Sequence, residues 1–154
     1  MSRRAVAPVV GVALMLVVCV VFAGVVGAFV VDVGEQTDDA PTAAITAKFG
    51  NEHPNQINLT HRGGDPIDVR DLTVRIYVDG EPLEHQPDVP GMSKGLAEFP
   101  TGPFNSGTAN SIWTAGETAS LTVATTTNSP QPSSGSRVTV KLYVNGTAVT
   151  ATQV

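Results

Sequence analysis

An uninterrupted apolar run near the start of the chain constrains its fold more than any other feature. Between Ala5 and Val31 no side chain is charged or strongly polar, whereas Arg3 and Arg4 precede the run and Asp32 follows it. As a helix that rises about 1.5 Å per residue, this run would reach roughly 40 Å. The hydrocarbon core of a bilayer is about 30 Å thick and needs about 20 apolar residues. The run is therefore long enough to span a membrane.

The charges around this run predict its orientation. Positive residues accumulate on the cytoplasmic side of a membrane helix, so Arg3 and Arg4 predict a cytoplasmic N-terminus and an exported C-terminal part. An uncleaved single-pass anchor would keep this arrangement. A secretory signal peptide, whose apolar stretch is about 7–15 residues long, would be cut after Ala28 and would release the remainder. A lipoprotein signal would use Cys19, although the bulky Val18 stands where a small residue is expected.

A further interpretation is a helix that starts in the membrane and later packs in a helical core. Pro8 stands at the start of the run, where its fixed φ suits a first helical turn. Small residues recur four positions apart, a spacing that lets helix backbones approach closely in an apolar medium. These pairs are Ala7 with Gly11, Ala23 with Gly27, and Gly24 with Ala28.

The segment RRAVAPVVGV at positions 3–12 supports this interpretation. It resembles the N-terminal signature of archaeal type IV pilins, especially those of halophilic archaea, in which an apolar helix follows. Two positions depart mildly from that signature: Ala7 stands for the usual Ser, and Val10 for the usual Ile.

The resemblance implies how the chain would be processed and with what it would assemble. A prepilin peptidase would cut between Ala5 and Val6, after the charge of Arg4, although a cut directly after Arg4 is also compatible with the pattern. Residues 1–5 would then be a leader and residues 6–34 the hydrophobic helix. The family also implies other pilin subunits as partners, together with an assembly ATPase and a membrane platform.

The exported part is predicted to be a small antiparallel β-sandwich over residues 45–154, joined to the helix by a polar linker at 35–44. Residues 72–78 and 138–144 each alternate strictly, with aliphatic residues on one face and Thr, a cation and Tyr on the other. Asp79-Gly80 and Asn145-Gly146 follow them as hairpin turns. A closed barrel is the alternative. Weaker strands are predicted at 43–49, 56–61, 119–126 and 148–154, with a long loop at 84–114.

The chemistry of catalysis and metal binding is poorly represented. A formal net charge of −5 argues against a nucleic-acid groove. With Cys19 inside the apolar run, His53, His61 and His85 lack the paired spacing of a metal site and are interpreted as surface or turn histidines. The segment GMSKG at 91–95 matches a nucleophile elbow, but prolines flank it and no histidine follows Ser93. We therefore expect neither an enzyme nor a cofactor or metal site.

Two short features remain to be placed. Asn58-Leu59-Thr60 and Asn145-Gly146-Thr147 are N-glycosylation sequons, and exported chains are the ones that carry such glycans. Trp113, the only tryptophan, is predicted to serve in packing. The acidic, lysine-poor composition would keep a surface hydrated in high salt, which suits a halophile.

Together these features predict a structural pilin subunit of an archaeal type IV pilus-like surface filament. Before assembly it would lie in the cell membrane, and afterwards in an extracellular filament that supports adhesion. The alternative is a single-pass, membrane-anchored β-sandwich that binds a partner and does not polymerise. The position of cleavage separates them, because only the pilin retains the helix after losing Arg3 and Arg4.

Overall fold

A computed structural model describes residues 6–33, 40–105 and 111–154, and within the helix the side chains of residues 6–24. The chain divides into two compact units. One carries the helix and the other begins at Ala40.

The helical unit contains a single described helix, α1, over Val6–Val33. Its sequence has no interior proline beyond the first turns, because Pro8 lies where the missing N–H leaves no helical hydrogen bond unmade. A window of 19 residues, Val6–Gly24, is long and apolar enough to cross a membrane, with a mean hydropathy of 2.9. All described side chains in it are apolar or small, and all are exposed. This helix therefore has no polar face to turn toward water.

The second unit is built from antiparallel strands. Six of the described strands have five residues or more, and three are two-residue segments. In chain order they are β1 Ala43–Phe49, β2 Gln56–Gly64, β3 Ile67–Asp68, β4 Leu72–Val78, β5 Glu81–Pro82, β6 Ile112–Trp113, β7 Thr118–Thr122, β8 Val138–Val144 and β9 Thr147–Gln153.

These strands form three sheets in the described residues. The order is β1-β2-β7 in one, β3-β6 in a second, and β5-β4-β8-β9 in the third. Strict alternation in β4 and β8 puts Val74, Ile76, Val140 and Leu142 inside, where they share one core with the inner residues of the first sheet. A hydrogen bond from the Ala47 amide to the Thr152 hydroxyl (3.2 Å) joins the edges of the two larger sheets. The predicted fold class, an apolar helix followed by a sandwich-like antiparallel β-domain, is confirmed.

Both predicted hairpin turns adopt the backbone that their sequences favour. Asp79 and Gly80 have φ of 51° and 88°, and Asn145 and Gly146 have φ of 49° and 81°. Positive φ at both central residues is the requirement of a type I′ turn, whose twist matches that of the flanking strands. The first turn leads into the short strand β5, and the second joins β8 to β9.

Two sequence predictions need adjustment. The strand predicted at 119–126 ends at Thr122, because the loop at 84–114 takes over as hydrogen-bonding partner: the Ala124 amide donates to the Gly95 carbonyl (2.8 Å). That loop also contributes buried Val89, Leu96 and Phe104 to the core. The first strand begins at Ala43, so the last two residues of the predicted linker belong to β1.

Candidate functional site

The most unusual chemical surface in the described residues is α1 itself. Met15 and Val20 are 71% and 70% exposed, and large aliphatic side chains point outward on every side of the helix. A helix that is hydrophobic all round is found in the core of an assembly or in a membrane. The helix therefore requires apolar surroundings such as lipid or neighbouring helices.

Small residues along α1 leave room for such a partner. A methyl group added at Gly11 or at Gly24 would meet no atom within 4 Å. Ala7 lies one turn before Gly11, and Ala23 lies beside Gly24, so both small-residue positions present bare helix backbone. Gly27 and Ala28 lie on the helix, but their side-chain surroundings fall outside the described residues. Helix packing through these six positions remains a prediction.

The predicted processing site lies at the beginning of α1. Arg4 and Ala5 fall outside the described residues, and Val6 is the first described residue of the helix. The bond that a prepilin peptidase would cut thus immediately precedes the described helix. The cleavage position remains a prediction.

The two sequons differ in accessibility. Asn145 is exposed at the tip of the β8–β9 hairpin, and Thr147 of the same sequon is exposed as well. Asn58 lies in the middle of β2, between Lys48 on β1 and Ser120 on β7, and its Oδ1 is buried without a hydrogen-bond partner. A glycosyltransferase needs a solvent-accessible acceptor, so the exposure of Asn145 favours it over Asn58 as the modified residue.

One histidine contradicts the sequence interpretation. His53 is exposed and His85 half-buried, but His61 is fully buried, so its interpretation as a surface or turn residue is wrong. It extends the inward-facing series of β2 after Ile57 and Leu59, with its Nε2 3.0 Å from the Asp65 carbonyl.

His61 lies in an aromatic cluster. Its ring meets Trp113 edge to face at 5.5 Å, and Trp113 meets Phe104 in the same way at 5.1 Å. The Trp113 indole donates to the Glu117 carbonyl (3.1 Å). The predicted packing role of Trp113 is confirmed. The inward position of His61 could have been found from the alternation of residues 57–61.

The side chains considered for catalysis and metal binding do not form a site in the described residues. No group of three His, Cys, Asp or Glu side chains comes together as metal ligands in the described parts of the chain. Ser93 lies in a loop, and its hydroxyl accepts a hydrogen bond from the Asp88 amide (3.0 Å). Among the described residues around it, no strand leads into this loop and no helix leaves it, so the elbow pattern at 91–95 is a glycine-rich loop.

One exposed ion pair has a marked electrostatic effect. The Asp68 carboxylate accepts hydrogen bonds from the Arg70 guanidinium and, at 3.0 Å, from the Arg70 backbone amide. These hydrogen bonds hold the pKa of Asp68 below its ordinary 3.8, at about 2. The same contact raises the pKa of Arg70. The pair caps the short helical turn Val69–Asp71 and is a local structural feature.

Sequence reasoning also missed a feature of the four-stranded sheet. The sequences of β4 and β8 carry the same types of residue at corresponding positions. These two strands pair with each other, so Arg75 lies directly opposite Lys141 on the outer face. Tyr77 lies beside them, with the Lys141 ammonium 4.9 Å from its ring centre. The cation at the middle of each strand was visible in the sequence, but their meeting depended on which strands pair.

Comparisons with known proteins agree with the N-terminal resemblance. A family model described as the N-terminal region of archaeal type IV pilins matches residues 4–45. The chain is also 31% identical over 81 residues to an uncharacterized protein of Archaeoglobus fulgidus, an alignment covering 53% of this chain and 56% of the relative. The chain thus spans about half the length of the curated relative that it matches. The resemblance identified at positions 3–12 is confirmed, and it extends over the apolar helix.

Proposed function

We propose that this chain, whose residues 4–45 match the N-terminal region of archaeal type IV pilins, is a structural subunit of a type IV pilus-like surface filament. The observation that carries the proposal is α1, a long helix apolar on every side within that matched segment. In the filament, α1 would lie in the core, and the β-domain would form the outer coat. The role is structural and not catalytic.

Assembly would follow from maturation. Arg3 and Arg4 hold the N-terminal end of the helix at the cytoplasmic face, and a prepilin peptidase that cuts before Val6 removes both charges. The helix can then leave the lipid for a bundle. This transfer gains little free energy, because lipid tails are as apolar as valine. Close packing at Gly11 and Gly24, together with an assembly ATPase and a membrane platform, would therefore drive growth.

The filament would grow by a repeated head-to-tail contact between copies or related pilins. A heterologous contact that does not close into a ring generates a helical polymer. The subunit would begin in the cell membrane with its N-terminus in the cytoplasm and end in an extracellular filament that supports adhesion. A glycan on exposed Asn145 would lie on the outer coat, whereas Asn58 in the middle of β2 is the poorer acceptor.

Processing can be tested by changing the residue before the proposed cut. Ala5→Phe places a bulky side chain where the peptidase would require a small one. We expect the variant to keep its full-length mass and to stay in the membrane, so that electron microscopy of the cells shows no filaments of this subunit. Ala7→Ser restores the residue usual in the family and is the matched control, which should be cut and assembled normally.

Two results would contradict the proposal. Normal filaments from Ala5→Phe would show that processing at this bond is unnecessary. A wild-type chain that stays unprocessed in the membrane of cells with a working pilus system would instead support an anchored β-sandwich binding domain.

A further inference from the structure

We infer that the outer face of the four-stranded sheet binds a linear acidic polysaccharide. This inference rests on the proposed function, since it names the class of surface to which the filament would attach. We call this surface the cationic face, and it comprises the outward-pointing residues of β4, β8 and β9 together with Arg137. Its members include Thr73, Arg75, Tyr77, Arg137, Thr139, Lys141, Tyr143 and Gln153.

Two like charges lie opposite each other on the cationic face. Arg75 and Lys141 are register partners on adjacent antiparallel strands. Like charges directly opposite each other destabilise a sheet. Neither has a carboxylate partner within ion-pair distance among the residues that the structure describes. The arrangement therefore costs stability without a compensating ion pair, which is a mark of a functional surface.

Lys141 is nevertheless held in place. Its ammonium lies 4.9 Å from the centre of the Tyr77 ring, within the range of a cation–π contact. This contact occupies one face of the ring and restricts the positions that the ammonium can take. A preorganised cation loses less conformational freedom when it meets an anion.

A third cation extends the charge along the strand. Arg137 immediately precedes β8 and has the same parity as Thr139 and Lys141. It lines a shallow polar groove with Thr139 and Gln153. At about 3.3 Å per residue, Arg137 and Lys141 are roughly 13 Å apart along the strand. Asp79, the one carboxylate in this groove, accepts a hydrogen bond from the Arg137 amide (2.9 Å).

The remaining groups of the cationic face favour a sugar polymer as the anion. Thr73, Thr139 and Tyr143 present hydroxyls, and Gln153 presents an amide that donates to the Thr139 hydroxyl at 3.4 Å. Hydroxyls and amides both donate and accept, as sugar hydroxyls require. The face is an open sheet and not a concave pocket of the kind that encloses small ligands. Cations spaced along it fit acidic groups that repeat along a chain.

A single-stranded nucleic acid fits this face less well. Such ligands bind by stacking bases on free aromatic rings along a basic groove. Here the Lys141 ammonium covers one face of Tyr77, so that ring is less available for stacking with a base. The test therefore includes a single-stranded nucleic acid as a competing ligand, and tighter binding of that ligand would overturn the inference.

The test measures binding to full-length protein in nonionic detergent micelles. The probes are alginate as the linear polyuronate, dextran as the neutral polymer, and oligo(dT) as the nucleic acid. The test variant is the double substitution Arg75→Gln/Lys141→Gln. The control is Lys48→Gln/Lys94→Gln, which removes the same charge from two exposed lysines outside the cationic face.

We expect the wild-type chain to bind alginate at low salt, to release it at high salt, and to ignore dextran. Arg75→Gln/Lys141→Gln should weaken alginate binding by about tenfold or more, since two charged contacts are lost, and the control by less than about threefold. The thermal midpoint of the test variant should stay close to that of wild type, because removal of the like-charge pair offsets the lost contact between Lys141 and Tyr77. With the thermal midpoint retained, weaker alginate binding by this variant could not be attributed to unfolding.

Several results would overturn the inference. These are no alginate binding by wild type, equal weakening in both double variants, or tighter binding of oligo(dT) through the same two residues. Loss of filaments in Arg75→Gln/Lys141→Gln with alginate binding retained would identify the face as a subunit contact instead. The assay uses unassembled subunits, so wild-type filaments without alginate binding would refute only this inference. Alginate binding by a chain that never assembles would refute only the proposed function.

Discussion

At the scale of single residues, the Asp68–Arg70 pair gives the clearest electrostatic signature. With its pKa lowered from 3.8 to about 2, Asp68 stays ionised in the folded chain at pH values where it would be half protonated when unfolded. Its stabilising effect is therefore complete above about pH 4 and is lost as the pH falls through about 2.

Removing the guanidinium should reverse this shift. We expect the Asp68 side-chain carboxyl signal in an NMR titration to have its midpoint near pH 2 in wild type and to move back toward 3.8 in Arg70→Gln. Arg75→Gln is the control. It removes a guanidinium on β4 that does not contact Asp68 and should leave the titration unchanged. The same midpoint in wild type and Arg70→Gln would show that Arg70 does not cause the shift.

The buried aromatic cluster governs stability. Trp113→Phe removes volume from a fully buried site and deletes the indole hydrogen bond to the Glu117 carbonyl. We expect the free energy of unfolding to fall by about 1–3 kcal/mol in urea denaturation followed by circular dichroism.

Phe99→Ala provides the control for this substitution. Phe99 is 61% exposed, so its truncation should change the free energy of unfolding by no more than about 0.5 kcal/mol. An equal loss in both variants would mean that the cluster of Phe104, Trp113 and His61 is not a major part of the core.

At the scale of elements, local sequence patterns predicted more than the pairing between strands. The bounds of β4 and β8 agree with the predicted strands because each alternates strictly and ends at a clear turn. The bounds of β1 agree as well, although its register with β2 shifts between Ala44 and Ile45. The pairing of β4 with β8 depends on closing a loop of some sixty residues, which no local pattern encodes. The meeting of Arg75 and Lys141 was therefore beyond sequence reasoning.

The limits of local patterns also explain the other differences. His61 was assigned by residue type, whereas its position in the alternation of β2 decided its burial. The end of β7 was set by the loop at 84–114, whose Gly95 carbonyl binds the Ala124 amide. In contrast, α1 follows from composition alone, because an uncharged apolar run of this length has few other structures available.

The β8–β9 hairpin depends on its glycine. Gly146 has φ of +81°, a conformation that costs a residue with a Cβ about 1–2 kcal/mol. We expect Gly146→Ala to lower the free energy of unfolding by this amount in chemical denaturation.

Gly135→Ala is the matched comparison for the hairpin. Gly135 has no positive φ, and a methyl group there meets no atom within 4 Å. It should be neutral or slightly stabilising, because alanine restricts the unfolded chain. A Gly146→Ala variant as stable as Gly135→Ala would show that the turn does not require its left-handed backbone.

At the scale of the whole molecule, the two units require different surroundings: the β-domain is suited to water, and the helix to an apolar medium. The β-domain buries its aliphatic residues in its own core, whereas the described side chains of α1 bury none of theirs. The proposed sequence of membrane insertion followed by assembly would meet both requirements: lipid would cover the helix first, and neighbouring helices would cover it later. The match of residues 4–45 to archaeal type IV pilins is what favours this sequence of events over a permanent anchor.

The mass of the mature N-terminal peptide tests the central claim most directly. Protein purified from its own cells would be digested, and the terminal peptide identified by mass spectrometry. The proposed function predicts a first residue of Val6, or of Ala5 if the peptidase cuts after Arg4, with the apolar helix retained. A terminus after Ala28 would make the helix a discarded signal, and an intact Met1-Ser2-Arg3-Arg4 end would make the chain an anchored surface domain; either result would contradict a pilin.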